Sequence, residues 1–444
     1  MRTERPSLLL PLISALLLAG CVGYQARPLP AGPRWAAAPA AADGRPLALD
    51  LAQASRLALR GNPDYRVLLL DARISALDLR AAGLLPDPQL AVSADHPTTP
   101  GYSQAWSLGF SEDLSWLLTR GATLDAARAR HAATVLQVAW QGWLLSQRTA
   151  GDYIDLWSAG QRCALLRRQV SSARQREAAY ARALARRDVT LESAAASLIT
   201  LSDASAQLAQ AEQARAAAQA ALNQDLGVAP QVRYVLSTPL PPALPDAAQL
   251  RAALAALPRT RPDLLALRAA ARASDAQFRA AVLAQFPGLS VTVNRASDTS
   301  RVQSTGLGIS LNLPLFGGAQ TRARIARVSR DAAYARYQAR LGGAASATLA
   351  LDTQLKLVAA QRAQLAQRLP QLRQLAANAD RAFAAGALNG TAWASVQQNL
   401  IARELELIDL NAAEAKGQVA LAALLGHVPP GAAVPSNATA ETRR

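Results

Sequence analysis

The stretch that decides the fold is GLGISLNLPLFGG, residues 306–318, in a chain otherwise rich in alanine, leucine, arginine and glutamine. Its first part alternates between large aliphatic residues (Leu307, Ile309, Leu311, Leu313) and small or polar ones (Gly306, Gly308, Ser310, Asn312). A period of two predicts a β-strand with two unlike faces. A strand of this kind, lying between two long helical patterns, needs an apolar environment on one face and tolerates polar surroundings on the other.

The charge balance first suggests nucleic acid as a partner. Among 444 residues, Lys and Arg number 47 against 31 Asp and Glu, and nearly all the cations are arginine. The amino terminus favours a different interpretation. Residues 1–20 join two early arginines to an apolar run too short to span a membrane comfortably, which is typical of a signal peptide. No nucleic-acid partner is therefore expected.

The end of this segment, Leu18-Ala19-Gly20-Cys21, resembles the lipobox of bacterial lipoproteins. The resemblance implies cleavage before Cys21, lipidation of its thiol, and a lipidated linker over residues 21–45. Val22 stands where an aspartate typically retains such proteins in the inner membrane, so the outer membrane is expected, facing the periplasm. The alternative is an ordinary signal peptide with an incidental cysteine. The only other cysteine, Cys163, is expected to be a small buried apolar residue.

The chain repeats itself at an offset of 199 residues. The offset relates three pairs of features, Pro63-Asp64 with Pro262-Asp263, Leu114 with Leu313, and Gly227 with Gly426. We therefore expect a tandem duplication with a first repeat over 46–230, a proline-rich junction over 231–250 and a second repeat over 251–428. Residues 429–444 are expected to form a disordered tail.

Each repeat follows the order helix, strand, strand, long helix. The strands are expected at about 88–96 and 103–113 and at about 288–295 and 303–313. More than a hundred residues of helical pattern follow each strand pair, interrupted at 185–190 and 385–390. Beyond the first interruption leucines and alanines recur every seven residues, and beyond the second the leucines do so, which indicates helices packed as in a coiled coil. A helix from 119 to 185 would be roughly 100 Å long.

Four amphipathic strands cannot form a closed structure by themselves. Beyond residue 21 there is no apolar run long enough for a transmembrane helix, and an open sheet edge is not stable in lipid. At least two protomers must therefore share one barrel, and three would give twelve strands. The fold class predicted is mainly α with a membrane β-barrel portion. The lipid-facing strand residues are expected to be Trp106, Leu108, Phe110, Leu307, Ile309 and Leu311.

At this point the chain, from about residue 45 to 428, resembles the TolC-type outer-membrane efflux proteins. The motifs that carry the resemblance are AGLLPDPQL (82–90), LNLPLFGG (311–318) and the closing LLG (424–426). The lipobox fits the lipoprotein branch, and GLLPDP looks most like the heavy-metal efflux subgroup. The resemblance implies a homotrimer whose barrel in outer-membrane lipid continues into a periplasmic helical tunnel. It also implies a periplasmic adaptor and a proton-driven inner-membrane transporter as partners in a tripartite pump.

The resemblance further implies that the helical interruptions form a tip where the adaptor docks. The tip residues are Arg187, Asp188 and Val189 in the first turn, and Gly386, Ala387, Leu388 and Asn389 in the second. The first turn has arginine where the second has glycine, so we expect the two turns to differ. The acidic gate residues of known members correspond here to Ala392 and Ser395. The gate therefore differs from theirs, or rests on bulk such as that of Trp393.

No enzymatic activity is expected. The chain has no nucleophile or phosphate-binding motif, and its three histidines (His96, His131, His427) lack metal-ligand spacing, so neither a metal nor a cofactor is predicted. Two other functions stay open, a periplasmic coiled-coil structural lipoprotein and the exit duct of a type I protein secretion system. The exported substrate is not encoded in a readable motif. The arginines would either keep exposed helices soluble or line a basic lumen.

Overall fold

The computed structural model describes residues 24–36, 46–239 and 241–426. The predicted signal peptide, the lipidation site Cys21 and the predicted tail lie outside the described residues. Residues 24–35 belong to a unit of their own and contain no helix or strand. Every helix and strand described below belongs to the second unit, which begins at Ala36. Within the described ranges, no helix combines the length and the apolar character needed to cross a membrane.

The described residues 46–239 contain four helices and four strands, of which the last strand lies in the predicted junction and the others in the first repeat. The strands are β1 (Leu47–Leu49), β2 (Gln89–Asp95), β3 (Ala105–Asp113) and β4 (Tyr234–Leu236). The helices are α1 (Leu51–Gly61), α2 (Pro63–Gly83), α3 (Trp116–Ala185) and α4 (Leu191–Leu226). Helix α3 is 70 residues long, which corresponds to about 105 Å at about 1.5 Å per residue.

The described residues 241–426 contain four helices and two strands, the first helix beginning in the predicted junction. The helices are α5 (Ala247–Thr260), α6 (Pro262–Leu283), α7 (Gly318–Ala384) and α8 (Gly390–Leu424). The strands are β5 (Gly288–Ser297) and β6 (Gln303–Asn312). The chain is mainly helical, as predicted, and the four strands of the two pairs begin and end within two residues of the expected positions.

The duplication extends to individual hydrogen bonds. The Asn62 side chain donates to the Asp225 carbonyl at 3.0 Å, and the Arg261 side chain donates to the Leu424 carbonyl at 3.2 Å. Donors and acceptors are both related by the offset of 199. Each bond ties the start of a repeat's first long helix to the end of its last helix, so each repeat closes on itself in the same way.

Local sequence explains where these helices begin. Asp50 and Asp246 each form a capping box with the glutamine three residues later, which satisfies backbone groups at the starts of α1 and α5. Proline occupies the first turn of both α2 and α6, where its missing N–H is not needed. Gly227 ends α4 with a φ of 67°, a conformation that glycine adopts without strain.

The four longer strands form one antiparallel sheet in the order β2-β3-β5-β6. In its register, Phe110 lies opposite Leu90 and Val293, and Val293 lies opposite Leu307. The large apolar residues of both strand pairs therefore share one face, and that face is open, with Leu307 71% exposed. Strands β2 and β6 have only one neighbour each, so both edges of the sheet are unpaired within the described chain.

The largest core lies beside the small parallel sheet formed by β1 and β4. Tyr153 of α3 is fully buried there, and its hydroxyl lies 2.9 Å from the Leu49 carbonyl and 2.7 Å from the Ser237 carbonyl. Farther along α3 a smaller buried cluster contains Leu166, Ala211 and Ile401. Cys163 is fully buried in that part among apolar neighbours, which confirms its predicted environment.

Candidate functional site

The first helical interruption is a Schellman turn, a C-terminal cap closed by two backbone hydrogen bonds. The N–H of Arg187 donates to the Leu184 carbonyl, and the N–H of Asp188 donates to the Ala183 carbonyl, both at 2.9 Å. This pattern requires a left-handed residue at the position of Arg187, whose φ is 67°. Arginine in this conformation is strained, because its Cβ crowds the backbone.

The second interruption has the same backbone geometry. The N–H of Gly386 donates to the Phe383 carbonyl at 3.0 Å, and the N–H of Ala387 donates to the Ala382 carbonyl at 2.8 Å. Gly386 has a φ of 72°, close to that of Arg187. The expectation that the turns would differ is therefore wrong. The paired hydrogen bonds set the conformation of the turn, and the arginine accommodates to it.

The helices that leave the two turns also start alike. The Thr190 hydroxyl accepts a hydrogen bond from the Ser193 N–H at 3.3 Å, and the Asn389 side chain accepts one from the Ala392 N–H at 2.8 Å. In both turns the hydrophobic residue before this cap, Val189 or Leu388, is half-buried. The other predicted tip residues are exposed: Arg187, Asp188, Gly386, Ala387 and Asn389.

A cluster of aromatic and polar side chains lies behind the turns, and we call it the tip cluster. Phe383 of α7 stacks on Tyr180 of α3 and on Trp393 of α8, with centroid separations of 5.8 and 5.0 Å. These contacts bring the two turns to the same end of the helices. The cluster comprises Arg176, Tyr180, Asp380, Phe383, Trp393 and Gln397.

The polar members of the tip cluster are closely paired. The Trp393 indole N–H donates to the Asp380 carboxylate at 2.7 Å, and the Gln397 amide donates to the same oxygen at 2.9 Å. The Arg176 guanidinium lies 4.4 Å from the Trp393 ring centroid, a cation–π contact. Burial lowers the pKa of Arg176, and the nearby charge of Asp380 opposes that shift. One carboxylate and one cation therefore join three helices around the Trp393 ring.

The structure corrects the interpretation of Trp393 as a plug. The residue is only 4% exposed and fills the space between α3, α7 and α8 of its own chain, so its bulk is not available to an open passage. Ser395 is exposed and Ala392 half-buried. Sequence reasoning missed the other members of the cluster. A usable signal existed, since three of the chain's 20 aromatic residues lie within ten residues of the interruptions.

Cationic groups surround the turns. Four arginines are exposed and make no ion pair within the described part of the chain, namely Arg182, Arg186, Arg187 and Arg381. Arginine donors in a fixed fork suit carboxylates and backbone carbonyls of a protein partner. The end of the helices therefore offers an exposed, hydrogen-bonding surface on a braced backbone.

Comparison with known proteins gives one family match. Residues 254–427 match the family model described as outer membrane efflux protein. No curated protein matches the chain.

Solved structures share the fold over most of the chain. CusC has 19% identity and a TM-score of 0.74, covering 91% of this chain and 99% of its own. The CmeC outer membrane channel of Campylobacter jejuni has 15% identity and a TM-score of 0.75, covering 86% of each chain. The MtrE outer membrane channel of Neisseria gonorrhoeae has 18% identity and a TM-score of 0.72, covering 86% of this chain and 91% of its own. Together with the family match, these similarities confirm the resemblance to TolC-type outer-membrane efflux proteins.

Proposed function

We propose that the chain is the outer-membrane exit duct of a tripartite efflux pump, since residues 254–427 match the outer membrane efflux protein family model. Three copies share a twelve-stranded barrel, and their helices enclose a passage in the periplasm. The observation that carries this proposal is the four-stranded sheet, which exposes a largely apolar face and has two edges that are unpaired within the described chain. The channels CmeC and MtrE, which share the fold, support the same function.

A shared barrel accounts for both features of the sheet. Lipid would cover the apolar face, on which Trp106, Leu108 and Ile309 are among the exposed residues. The β6 edge of one copy would pair with the β2 edge of the next, since no strand edge can stay open in the hydrocarbon region. A spacer lipoprotein would leave the apolar face uncovered, so the sheet disfavours that alternative.

The helices provide a matching contact between copies. Helix α2 has no buried residue and presents apolar side chains at spacings of three and four, namely Val67, Leu70, Ile74 and Leu77. Near the start of α7, Ile325 and Val328 are 61% and 67% exposed. Because α2 leads into β2 and β6 leads into α7, pairing of the strand edges brings α7 of one copy beside α2 of the next. We infer that the exposed apolar side chains of α2 in one copy and those of α7 in the next copy pack against each other and become buried.

We further propose a lipid anchor at Cys21 and adaptor docking at the two turns. The lipobox supports the anchor, and the exposed turns with their unpaired arginines support docking. An inner-membrane transporter, proton-driven as the resemblance implies, would supply substrate, and heavy-metal ions are the substrate class that GLLPDP favours.

Replacing Cys21 with serine should abolish lipidation and outer-membrane retention. Incorporation of labelled palmitate into that variant would rule out the anchor.

Assembly is the direct test of the duct. In mild detergent the purified protein should have the mass of a trimer, and in planar bilayers it should conduct ions. A stable monomer without conductance would refute the proposal.

Docking is tested separately at Gly386. A Cβ there would meet no atom within 4 Å, so Gly386→Asp costs the fold only backbone strain of about 1 kcal/mol, which Arg187 already tolerates, while it places a carboxylate on the exposed turn. We expect normal trimer levels and loss of export. The nearly isosteric Gly386→Asn is the control for the added charge. Full export with Gly386→Asp, or loss of its trimer, would contradict a docking role.

A further inference from the structure

The polar face of the four-stranded sheet carries charge of only one sign. Four charged residues occur in β2, β3, β5 and β6, and the register divides them between the two faces. Glu112 and Arg295 lie on the apolar face, opposite Val291 and Leu108. Asp95 and Asp113 lie on the polar face, and every other residue on that face is uncharged.

The two aspartates stand at opposite ends of the sheet. Asp95 ends β2 beside the connection to β3, opposite Ala105, and Asp113 ends β3 beside the first helix turn of α3, opposite Ser290. The nine residues of β3 separate the two levels by about 27 Å along the strand. Between those levels the face presents mainly serine, glycine, threonine and asparagine.

We propose that Asp95 and Asp113 form two rings of carboxylates, one at each end of the exit pore, and that these rings make the pore favour cations over anions. The inference rests on the proposed shared barrel and names cations as the class of solute that passes most readily. Three copies place three carboxylates at each level, with no fixed cation on the same face.

Asp113 is held in place by its neighbour. Its carboxylate accepts a hydrogen bond from the Ser115 N–H at 2.8 Å and another from the Ser115 hydroxyl. Asp113 is nevertheless exposed, so the charge is fixed in position and stays in contact with solvent. Asparagine at this position retains a side-chain oxygen for the Ser115 N–H and removes only the charge.

The size of the effect follows from the barrel dimensions. Twelve strands about 4.8 Å apart and tilted by about 40° leave the carboxylates roughly 10 Å from the pore axis. At about 0.1 M salt, three charges at that distance raise the local cation concentration about twofold and lower the anion concentration by about the same factor. Neutralising one ring removes this local fourfold preference and should lower the cation-to-anion permeability ratio of the whole pore by up to about fourfold.

The experiment measures reversal potentials of the full-length protein in planar bilayers under a KCl gradient. The variants are Asp95→Asn, Asp113→Asn and the double substitution, and the matched control is Glu112→Gln, which removes the same charge from the opposite face one residue away. We expect the ratio of K⁺ to Cl⁻ permeability to fall in both single variants, to fall further in the double variant, and to stay unchanged in the control. The variants differ from the wild type only in the sheet. A change in the permeability ratio therefore reports the charge in the barrel, because the contribution of the arginine-rich helices is the same in every protein.

Each other outcome has a distinct meaning. If the channel conducts and its ratio of K⁺ to Cl⁻ permeability is the same in all variants, the proposed carboxylate rings are refuted. The proposed exit duct is not refuted by that result. A ratio that falls as much with Glu112→Gln would overturn the assignment of the two faces to lumen and lipid. A wild-type protein that neither assembles nor conducts would refute the proposed function itself.

Discussion

Removing the Trp393 side chain should loosen the end of the helices without unfolding the rest of the chain. Trp393 is 4% exposed, and its ring is held between Phe383 and the Arg176 guanidinium. Within the described residues, none of the other buried clusters joins α3, α7 and α8. The largest core lies elsewhere, around Tyr153.

The structure sets the magnitude for two substitutions. Trp393→Ala deletes a buried indole, a change that typically costs 3–5 kcal/mol, and so should raise the population of the locally open tip roughly 150-fold or more. Trp393→Phe keeps an aromatic ring for stacking but loses the N–H that donates to Asp380 at 2.7 Å. Because Gln397 still donates to that carboxylate, we expect a cost near the low end for a charged hydrogen bond, about 1.5 kcal/mol, or roughly tenfold.

Hydrogen exchange of the backbone amides in the intact trimer measures this opening directly. Over residues 376–400, exchange should be fastest in Trp393→Ala, slower in Trp393→Phe and slowest in the wild type. The amides around Tyr153 should stay protected in all three proteins. Ser395→Ala is the matched control, because Ser395 lies on the same helix and is exposed. Unchanged exchange in Trp393→Ala, or equal acceleration around Tyr153, would refute the view that the cluster braces the tip locally.

Three further predictions concern strain, charge and burial. Arg187→Gly should stabilise the first turn by about 1 kcal/mol, because glycine adopts a φ of 67° without strain, and slower exchange at residues 183–188 would show it. Burial, with the charges of Asp225 and Asp155, raises the pKa of Asp152 from 3.8 to about 6. The folded state therefore holds a proton that the unfolded chain releases, stability should fall as pH rises from about 4 to about 6, and Asp152→Asn should remove that slope in thermal unfolding. Asp263→Ala should cost about 3–5 kcal/mol and lower Tm, because it leaves the buried Arg261 guanidinium without its carboxylate, whereas Arg340→Ala at the exposed partner should cost less than about 1 kcal/mol.

The strands and the repeat were predicted well from the sequence, because each is specified by a pattern of neighbouring residues. Alternation, glycine and proline placed the strands of the sheet, and the repeated Pro-Asp pair gave the offset of 199 that the hydrogen bonds of Asn62 and Arg261 preserve. Such signals lie within a few residues of the element that they specify, so a single sequence contains them.

The tip cluster could not be predicted in the same way. Arg176 and Trp393 are separated by more than 200 residues, and heptad patterns give the buried face of each helix without the axial register between helices. The conformation of Arg187 was missed for a related reason. Residue preference favours glycine in a left-handed turn, but two backbone hydrogen bonds and the packing behind them outweigh a preference of about 1 kcal/mol.

The two turns have the same backbone but different chemistry, and this limits the symmetry of anything that binds them. In a trimer the six turns would alternate around the threefold axis, three with Arg187 at the left-handed position and three with Gly386 backed by the Trp393 ring. The position equivalent to Trp393 in the first repeat is Ala194. A partner that contacted all six turns would therefore meet two kinds of binding site. Six identical partner subunits would have to bind in two non-equivalent ways. Alternatively, they would occupy only one kind of site, and three subunits would bind to each trimer.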